Sequence, residues 1–269
     1  MQASYSIAQL TAMNYNPPQM IELAARTGYD QAGVRLLPVA PGAVAYSLMD
    51  NKPMLRETLA RMKDTGVRIF DLELILLDED FDLQRYLPFF EVGAELGARA
   101  VLVAGDDPQE SRMIENYARL CDAMQPFGLS ADLEFMPWTA LNNLASALRV
   151  VEQADRSNAG ILVDALHFDR SQSSFDDLKR IPAQWLHYAQ ICDGPAERPT
   201  SREGLINAAR CERLLPGEGA IDLTRIWRTL PAAVPVSVEI PHDQRVAHLG
   251  VETWARQALA ASKAIIEPL

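Results

Sequence analysis

Eight short apolar runs alternate along this chain with longer amphipathic ones, and that alternation leaves few folds open to it. The strand-like runs are "SYSIAQL" (4–10), "QAGVRLL" (31–37), "GVRIFDLEL" (66–74), "AVLVA" (100–104), "SADLEF" (130–135), "GILVD" (160–164), "LHYAQIC" (186–192) and "VPVSVEI" (234–240). Between them, "PPQMIELAARTG" opens on prolines and stops at a glycine, and "PMLRETLARMKDTG" and "FDLQRYLPFFEVGAELG" repeat that plan, the usual punctuation of helices. "SRMIENYARLCDAMQPFG", "TALNNLASALRVVEQAD" and "GVETWARQALAASKAIIEPL" place apolar residues at i, i+3, i+4 and i+7, as a helix with one buried face requires. A seventh helix is placed in 202–213, where the pattern is weakest. Strands alternating with helices imply parallel pairing and right-handed crossovers. A doubly wound sheet would satisfy this, but a count of eight predicts a closed (β/α)8 TIM barrel, a single domain over residues 1–269.

Length agrees, since a barrel of this kind needs about 250 residues and the chain has 269. No apolar run reaches the roughly 18 residues that a membrane helix demands, and the start, "MQASYSIAQL", lacks a basic flank followed by an uninterrupted apolar stretch. Cys121, Cys192 and Cys211 are odd in number with neither CxxC nor CxxH spacing, which supports neither a disulfide framework nor a thiolate zinc site. A cytoplasmic protein with no membrane partner is expected. A formal net charge of −11, with no basic run against it, makes nucleic acid an unfavourable partner.

In such a barrel the C-terminal strand ends surround one mouth and carry the chemistry. The sequence places Glu134 at the end of the fifth strand, Asp164 at the end of the sixth, Gln190 near the end of the seventh and Glu239 near the end of the eighth. Taken singly, an acidic residue closing a strand is more often a helix cap or a loop solvator. Three carboxylates and an amide at successive strand ends are harder to explain so, because like charges gathered away from water repel strongly. A divalent cation resolves that conflict, and oxygen donors without a thiolate suit Mn²⁺ or Mg²⁺ best.

The segments "LEFMP", "ILVDALHF", "YAQICDGP", "RLLPGEGAIDL" and "VSVEIP" resemble the sugar phosphate isomerase/epimerase family with the xylose isomerase-like barrel. That group includes ketose 3-epimerases, hydroxypyruvate isomerases, inosose dehydratases and one type of 3-dehydroshikimate dehydratase. The resemblance implies one metal ion held by Glu134, Asp164, Gln190 and Glu239. Gln190 stands where the family usually has histidine, a departure similar to the 3-dehydroshikimate dehydratase branch. It also implies a substrate-contacting or catalytic role for His167, with Glu134 and Glu239 exchanging protons on opposite sides of a substrate carbon. A homo-oligomer is in keeping with the family.

Other residues are ranked by position. "PGEG" alone is a turn signal, but it follows the seventh strand with Arg210 and Arg213 just before it. That suggests a loop over the mouth offering a guanidinium, Arg210 foremost, to a substrate oxygen or carboxylate; a surface pair with Glu212 or Glu218 is the alternative. Arg35 and Glu73 either face the mouth as substrate-binding groups or form an internal ion pair. Trp138 is a wall for a ring face or a loop anchor. His187 is structural, three positions from Gln190 and so on the opposite strand face.

The expected activity is a divalent-metal-dependent isomerase or epimerase acting on a keto-sugar or keto-polyol through an enediolate. A dehydratase (a lyase) acting on a cyclic keto-acid or inosose uses the same equipment and is the alternative. An abasic-site endonuclease on this fold needs many histidines, and the chain has four. A non-catalytic sugar-binding barrel would follow if Gln190 marked a decayed site.

Overall fold

The structure is a computed structural model describing residues 4–40 and 42–268. Eight parallel strands close in sequence order: β1 (Tyr5–Ile7), β2 (Gln31–Arg35), β3 (Arg68–Leu77), β4 (Ala100–Gly105), β5 (Ser130–Glu134), β6 (Ala159–Asp164), β7 (Ala189–Ile191) and β8 (Val236–Val238), with β8 pairing back onto β1. The (β/α)8 barrel expected from the alternation is therefore present. Helices from Pro17–Thr27 to Val251–Ile266 pack around it, and no helix among the described residues is long and apolar enough to cross a membrane.

Local chemistry sets the helix starts. Asn16 accepts from the Gln19 amide while the Gln19 side chain accepts from the Asn16 amide, which satisfies two otherwise unpaired donors. The expected helix at 81–97 is broken into a 3₁₀ turn, Leu83–Tyr86, and a helix, Leu87–Glu95. Pro88 has no N–H to extend the earlier turn, so it falls in the first turn of the new helix. The weak seventh helix is real and spans Arg202–Cys211.

Three strands are less than half as long as their apolar runs. β1 ends at Ile7 because the chain turns into a 3₁₀ helix, Gln9–Ala12, held by the Gln9 amide donating to the carbonyls of Ala12 (3.3 Å) and Tyr15 (2.9 Å). β7 and β8 contribute only three residues each, so Glu239 lies just beyond its strand, its N–H donating to the Ile191 carbonyl at 3.2 Å.

Apolar packing divides into two bodies. The larger lies between the strands and the helices and includes Trp254, Phe89 and Phe90. A small cluster of Phe70, Ala100, Leu102, Leu162 and Tyr188 is separate from it. Register carries the acidic side chains to one end: Glu134 pairs with Leu162, two residues short of Asp164, and Asp164 pairs with Gln190. Inward residues recur every second position, so the staggered strands deliver these groups to the same mouth.

Candidate functional site

Asp164 both ends β6 and caps the helix Ala165–Arg170, its Oδ1 accepting from the His167 amide at 2.9 Å. That cap brings the His167 ring over the strand ends, with Nε2 3.8 Å from Glu134 Oε1. Trp138 meets the same ring edge-on, centroids 5.1 Å apart. One donor atom each from Glu134, Asp164 and His167 lies within 4.8 Å of the others, and all three residues are buried. Glu239 stands outside that tightest group but lines the same cavity as Glu134, His167, Arg35, Arg210 and Arg213. The Gln190 amide donates to Glu239 Oε1 at 3.1 Å.

The residue that organises this cluster is Arg213. Its guanidinium, 1% exposed, contacts Asp164 Oδ2 at 2.6 Å and Glu239 Oε2 at 2.8 Å, and donates to the Ala209 carbonyl at 2.7 Å. Of the two arginines before "PGEG", the deeper one holds the carboxylates, while Arg210 stays at the rim. Glu218 is taken by Arg245, and among the described residues Arg210 forms no ion pair with Glu212 or Glu218. Arg35 and Glu73 form a buried ion pair at 2.5 Å, and Arg35 also faces the cavity.

Asp193, which the sequence reading passed over, builds the loop that delivers Arg213. Its carboxylate accepts four backbone N–H groups, from Gly194 (2.8 Å), Gly217 (2.9 Å), Gly219 (3.0 Å) and Ile221 (3.1 Å). Asp193 and Leu214 also exchange backbone hydrogen bonds, both 2.9 Å. A Cβ on Gly219 would strike the Asp193 carboxylate and the Gly194 carbonyl. The glycines of "PGEG" are thus the backbone side of a carboxylate cradle, and "CDGP" supplies its acid.

Electrostatics differ sharply among the site groups. Burial first, then Glu239 and Asp164, push Glu134 well above the ordinary carboxylate range. Burial also raises Glu239, to about 7, against the pull of Arg213. For Asp164 burial is outweighed by Arg213, with help from His167, and the net direction is down. Burial lowers His167 to about 4, leaving a neutral imidazole at neutral pH.

The donor set fits a divalent metal. Glu134 Oε1, Gln190 Oε1 and His167 Nδ1 are buried without hydrogen-bond partners, and an orphaned buried oxygen is costly unless something binds it. Asp164 and Glu239 add charge, already half neutralised by Arg213. The enclosed cavity between these groups is only about 50 Å³, but it shares Leu10 and Arg210 with a groove of about 490 Å³, and Val39 and Leu74 with another of about 480 Å³. Pockets for small organic molecules commonly occupy about 300–1,000 Å³, so a substrate would lie in a groove and reach its reacting carbon inward.

A closed parallel barrel with acid groups at its C-terminal mouth is the TIM-barrel architecture, whose chemistry sits at that mouth. The chain belongs to the xylose isomerase-like TIM barrel family, which it matches over residues 21–265. It is 24% identical to the inosose isomerase of Bacillus velezensis over 224 residues, 79% of this chain and 78% of that enzyme. With the inosose isomerase of Bacillus licheniformis it shares 31% identity over 120 residues, 44% of this chain and 41% of the relative. The 3-dehydroshikimate dehydratase of Pseudomonas aeruginosa is 25% identical over 171 residues, 60% of this chain and 26% of that protein. The matched stretch thus spans about two fifths of one of these relatives and about a quarter of another. Among solved structures, the IOLI protein with a zinc atom superimposes with a TM-score of 0.83 at 20% identity, covering 98% of both chains. D-allulose 3-epimerase from Methylomonas sp. superimposes at 0.70 with 17% identity, covering 98% of this chain and 97% of that one. At such identities the structural likeness establishes the fold.

Proposed function

We propose that this protein is a divalent-metal-dependent isomerase or epimerase that moves a proton next to the carbonyl of a keto-sugar or cyclic keto-polyol. The observation that carries the reading is the set of partnerless buried donors, Glu134 Oε1, Gln190 Oε1 and His167 Nδ1, gathered at the mouth where Asp164 and Glu239 already stand. Glu134, Asp164, Gln190 and Glu239 would hold one Mn²⁺ or Mg²⁺ ion. When bound, such an ion supplies Lewis-acid polarisation of the substrate carbonyl. Gln190 in place of an imidazole favours harder ions, and its amide donation to Glu239 also fixes that carboxylate's orientation.

The proton work falls to the chain's own groups. Either Glu134 or Glu239 removes the α proton to give an enediolate, and the other returns a proton from the opposite side. Environments that separate their pKa values suit an acid and a base working in turn. Returned to the same carbon, the proton inverts it; returned to the neighbouring carbon, it moves the carbonyl. Arg35 and Arg210 would bind substrate oxygens at the rim, Glu73 would hold Arg35 in place, and Trp138 would form the wall beside His167.

One observation favours the dehydratase as a second reading. Arg210 lines the cavity and meets no carboxylate among the described residues, so a substrate carboxylate would complete it. In that case His167, neutral and buried, takes the α proton as a base and, as the imidazolium so formed, returns it to the departing β-hydroxyl, which leaves as water. The name of the Pseudomonas relative, a 3-dehydroshikimate dehydratase, and that of the Bacillus relatives, inosose isomerases, mark the two substrate types to try first.

The test is a panel of ketohexoses, inososes, hydroxypyruvate and 3-dehydroshikimate with Mn²⁺-loaded protein in D2O. Deuterium entering recovered ketone supports isomerisation, while a conjugated ultraviolet-absorbing product supports dehydration. His167→Ala should then cost about a hundredfold or more in kcat if His167 transfers a proton, and raise only KM if it positions substrate. Elemental analysis should find about one metal per chain, largely lost in Glu239→Gln. Metal bound with no exchange, elimination or isomerisation across the panel would overturn the enzymatic reading in favour of a sugar-binding barrel.

A further inference from the structure

The N-terminal end of the barrel, remote from the carboxylate mouth, holds a cavity of about 570 Å³. Its wall collects three cationic or cation-capable side chains: Arg68 at the start of β3, Arg99 just before β4, and His187 just before β7. This concentration is unusual in a chain of net charge −11. Several surface arginines elsewhere in the molecule, Arg26, Arg61, Arg149, Arg156 and Arg256, each meet a carboxylate, while others such as Arg56 and Arg228 meet none among the described residues but do not line this cavity. Among the described residues Arg68 and Arg99 meet none.

His187 is built into place. Its Nδ1 lies 2.7 Å from Oδ1 of the fully buried Asp132, whose Oδ2 accepts from Ser130 Oγ at 2.6 Å. The contact exists only because residue 160 is glycine: a Cβ there would collide with both the Asp132 carboxylate and the His187 ring. With Nδ1 committed to Asp132, Nε2 is the ring nitrogen left for another partner, as in any imidazole fixed through its other nitrogen. A second feature points to a ligand. Gln31 lines the same cavity and is buried, and its Oε1 has no hydrogen-bond partner. Phe70 and Ala100 give the cavity an apolar wall.

We infer that this cavity is a second binding site, for a small hydroxylated metabolite bearing a phosphate group. Two guanidiniums, joined by Nε2–H of His187 when both its ring nitrogens are protonated, supply the donors that a tetrahedral oxyanion takes, Gln31 offers an acceptor for a hydroxyl, and the volume lies in the range usual for small-molecule sites. Surface stabilisation alone would explain His187 and Asp132, but not the convergence of two arginines and a buried orphaned acceptor on one space. The site stands independently of the activity assigned to the other mouth.

The probes are 3-phosphoglycerate, inorganic phosphate and glycerate, titrated calorimetrically into the full-length protein. 3-Phosphoglycerate should bind saturably with a Kd below about 1 mM, and glycerate should not. Inorganic phosphate binding more weakly identifies an organic phosphate as the occupant; equal binding identifies free phosphate, and both outcomes support the oxyanion site. Arg68→Gln with Arg99→Gln should weaken binding about tenfold or more, the scale of lost hydrogen bonds to charged groups, and His187→Gln should weaken it with the arginines intact. The arginine variant should keep the wild-type melting transition and His187→Gln should stay folded at the pH of the titration, both checked by circular dichroism. Arg210→Gln, at the opposite end, should leave the titration unchanged. Absence of saturable phosphate binding up to about 10 mM, or binding that disappears in Arg210→Gln and persists in the Arg68/Arg99 double variant, would overturn the inference.

Discussion

The two ends of the barrel are made from the same strands and pair their charges differently. On β5, Asp132 serves the N-terminal end and Glu134, two residues on, the C-terminal mouth; on β8 and just beyond it, Ser237 and Glu239 are spaced alike. At the C-terminal mouth Glu73, Glu134, Asp164 and Glu239 stand with Arg35, Arg210 and Arg213, and Arg213 spans Asp164 and Glu239. At the N-terminal end the cations outnumber their carboxylate, since Asp132 is bound to His187 and the two arginines meet no carboxylate among the described residues. Between them lie the small apolar cluster around Leu102 and Tyr188 and the buried Asp71, whose carboxylate burial and then Glu73 and Glu239 hold well above the usual range. The comparison teaches that a strand fixes where a side chain arrives, while the following loop fixes its electrostatic partner.

The largest expected effect breaks the C-terminal half of that comparison. Arg213→Met leaves two buried carboxylates without their cation, so the metal-free protein should lose about 3–5 kcal/mol in urea denaturation, the cost of removing one partner of a buried ion pair. Added Mn²⁺ should recover more stability in this variant than in the wild type if Arg213 and metal neutralise the same charges. Equal recovery in both would show that Arg213 and the metal act on separate groups.

A middle-sized effect sharpens the N-terminal half. Gly160→Ala places a methyl against both Asp132 and His187 and should cost about 1–3 kcal/mol, the usual price of overpacking. Metal content at the far mouth should stay at the wild-type level, and a parallel loss of metal would mean that strain passes along β5 from Asp132 to Glu134.

The smallest effect is one of pH. For His187 burial lowers the pKa, but the hydrogen bond and charge of Asp132 outweigh it and the net direction is up. A folded-state pKa above the unfolded value means a stabilisation fully present below about pH 6.5 and lost as pH rises through the higher folded value. His187→Gln should therefore melt lower than wild type near pH 5.5 and approach it near pH 9 in the interval where imidazole titrates. A gap that does not change with pH would make the Asp132 contact one between neutral groups.

Much of the fold was legible because periodicity is a local property. An apolar face repeats every two residues in a strand and every 3.6 in a helix, so the eight alternations could be read directly, and the weak helix could be placed within 202–213, where Arg202–Cys211 lies. Strand lengths were less legible: β1 stops at Ile7 because Gln9 finds carbonyls in the following turn, and hydrophobicity does not register that competition. At the candidate site the strand-ending Glu134, Asp164, Gln190 and Glu239 were visible from their positions, and the structure places them with His167 and Trp138 around one mouth. The geometry that makes Arg213 the central cation, with Arg210 at the rim, was not visible.

The sequence by itself determined the strand count, the parallel order and the end of the barrel at which the acids would gather, since each depends on residues near one another in the chain. Only the tertiary structure decided which charges neutralise which. Arg213 reaches Asp164 and Glu239 because Asp193 folds the glycine loop through four backbone N–H groups, and His187 reaches Asp132 because Gly160 leaves room. Those pairings join segments far apart in sequence, and a Coulombic contact depends on distance and burial in space, which no single segment encodes.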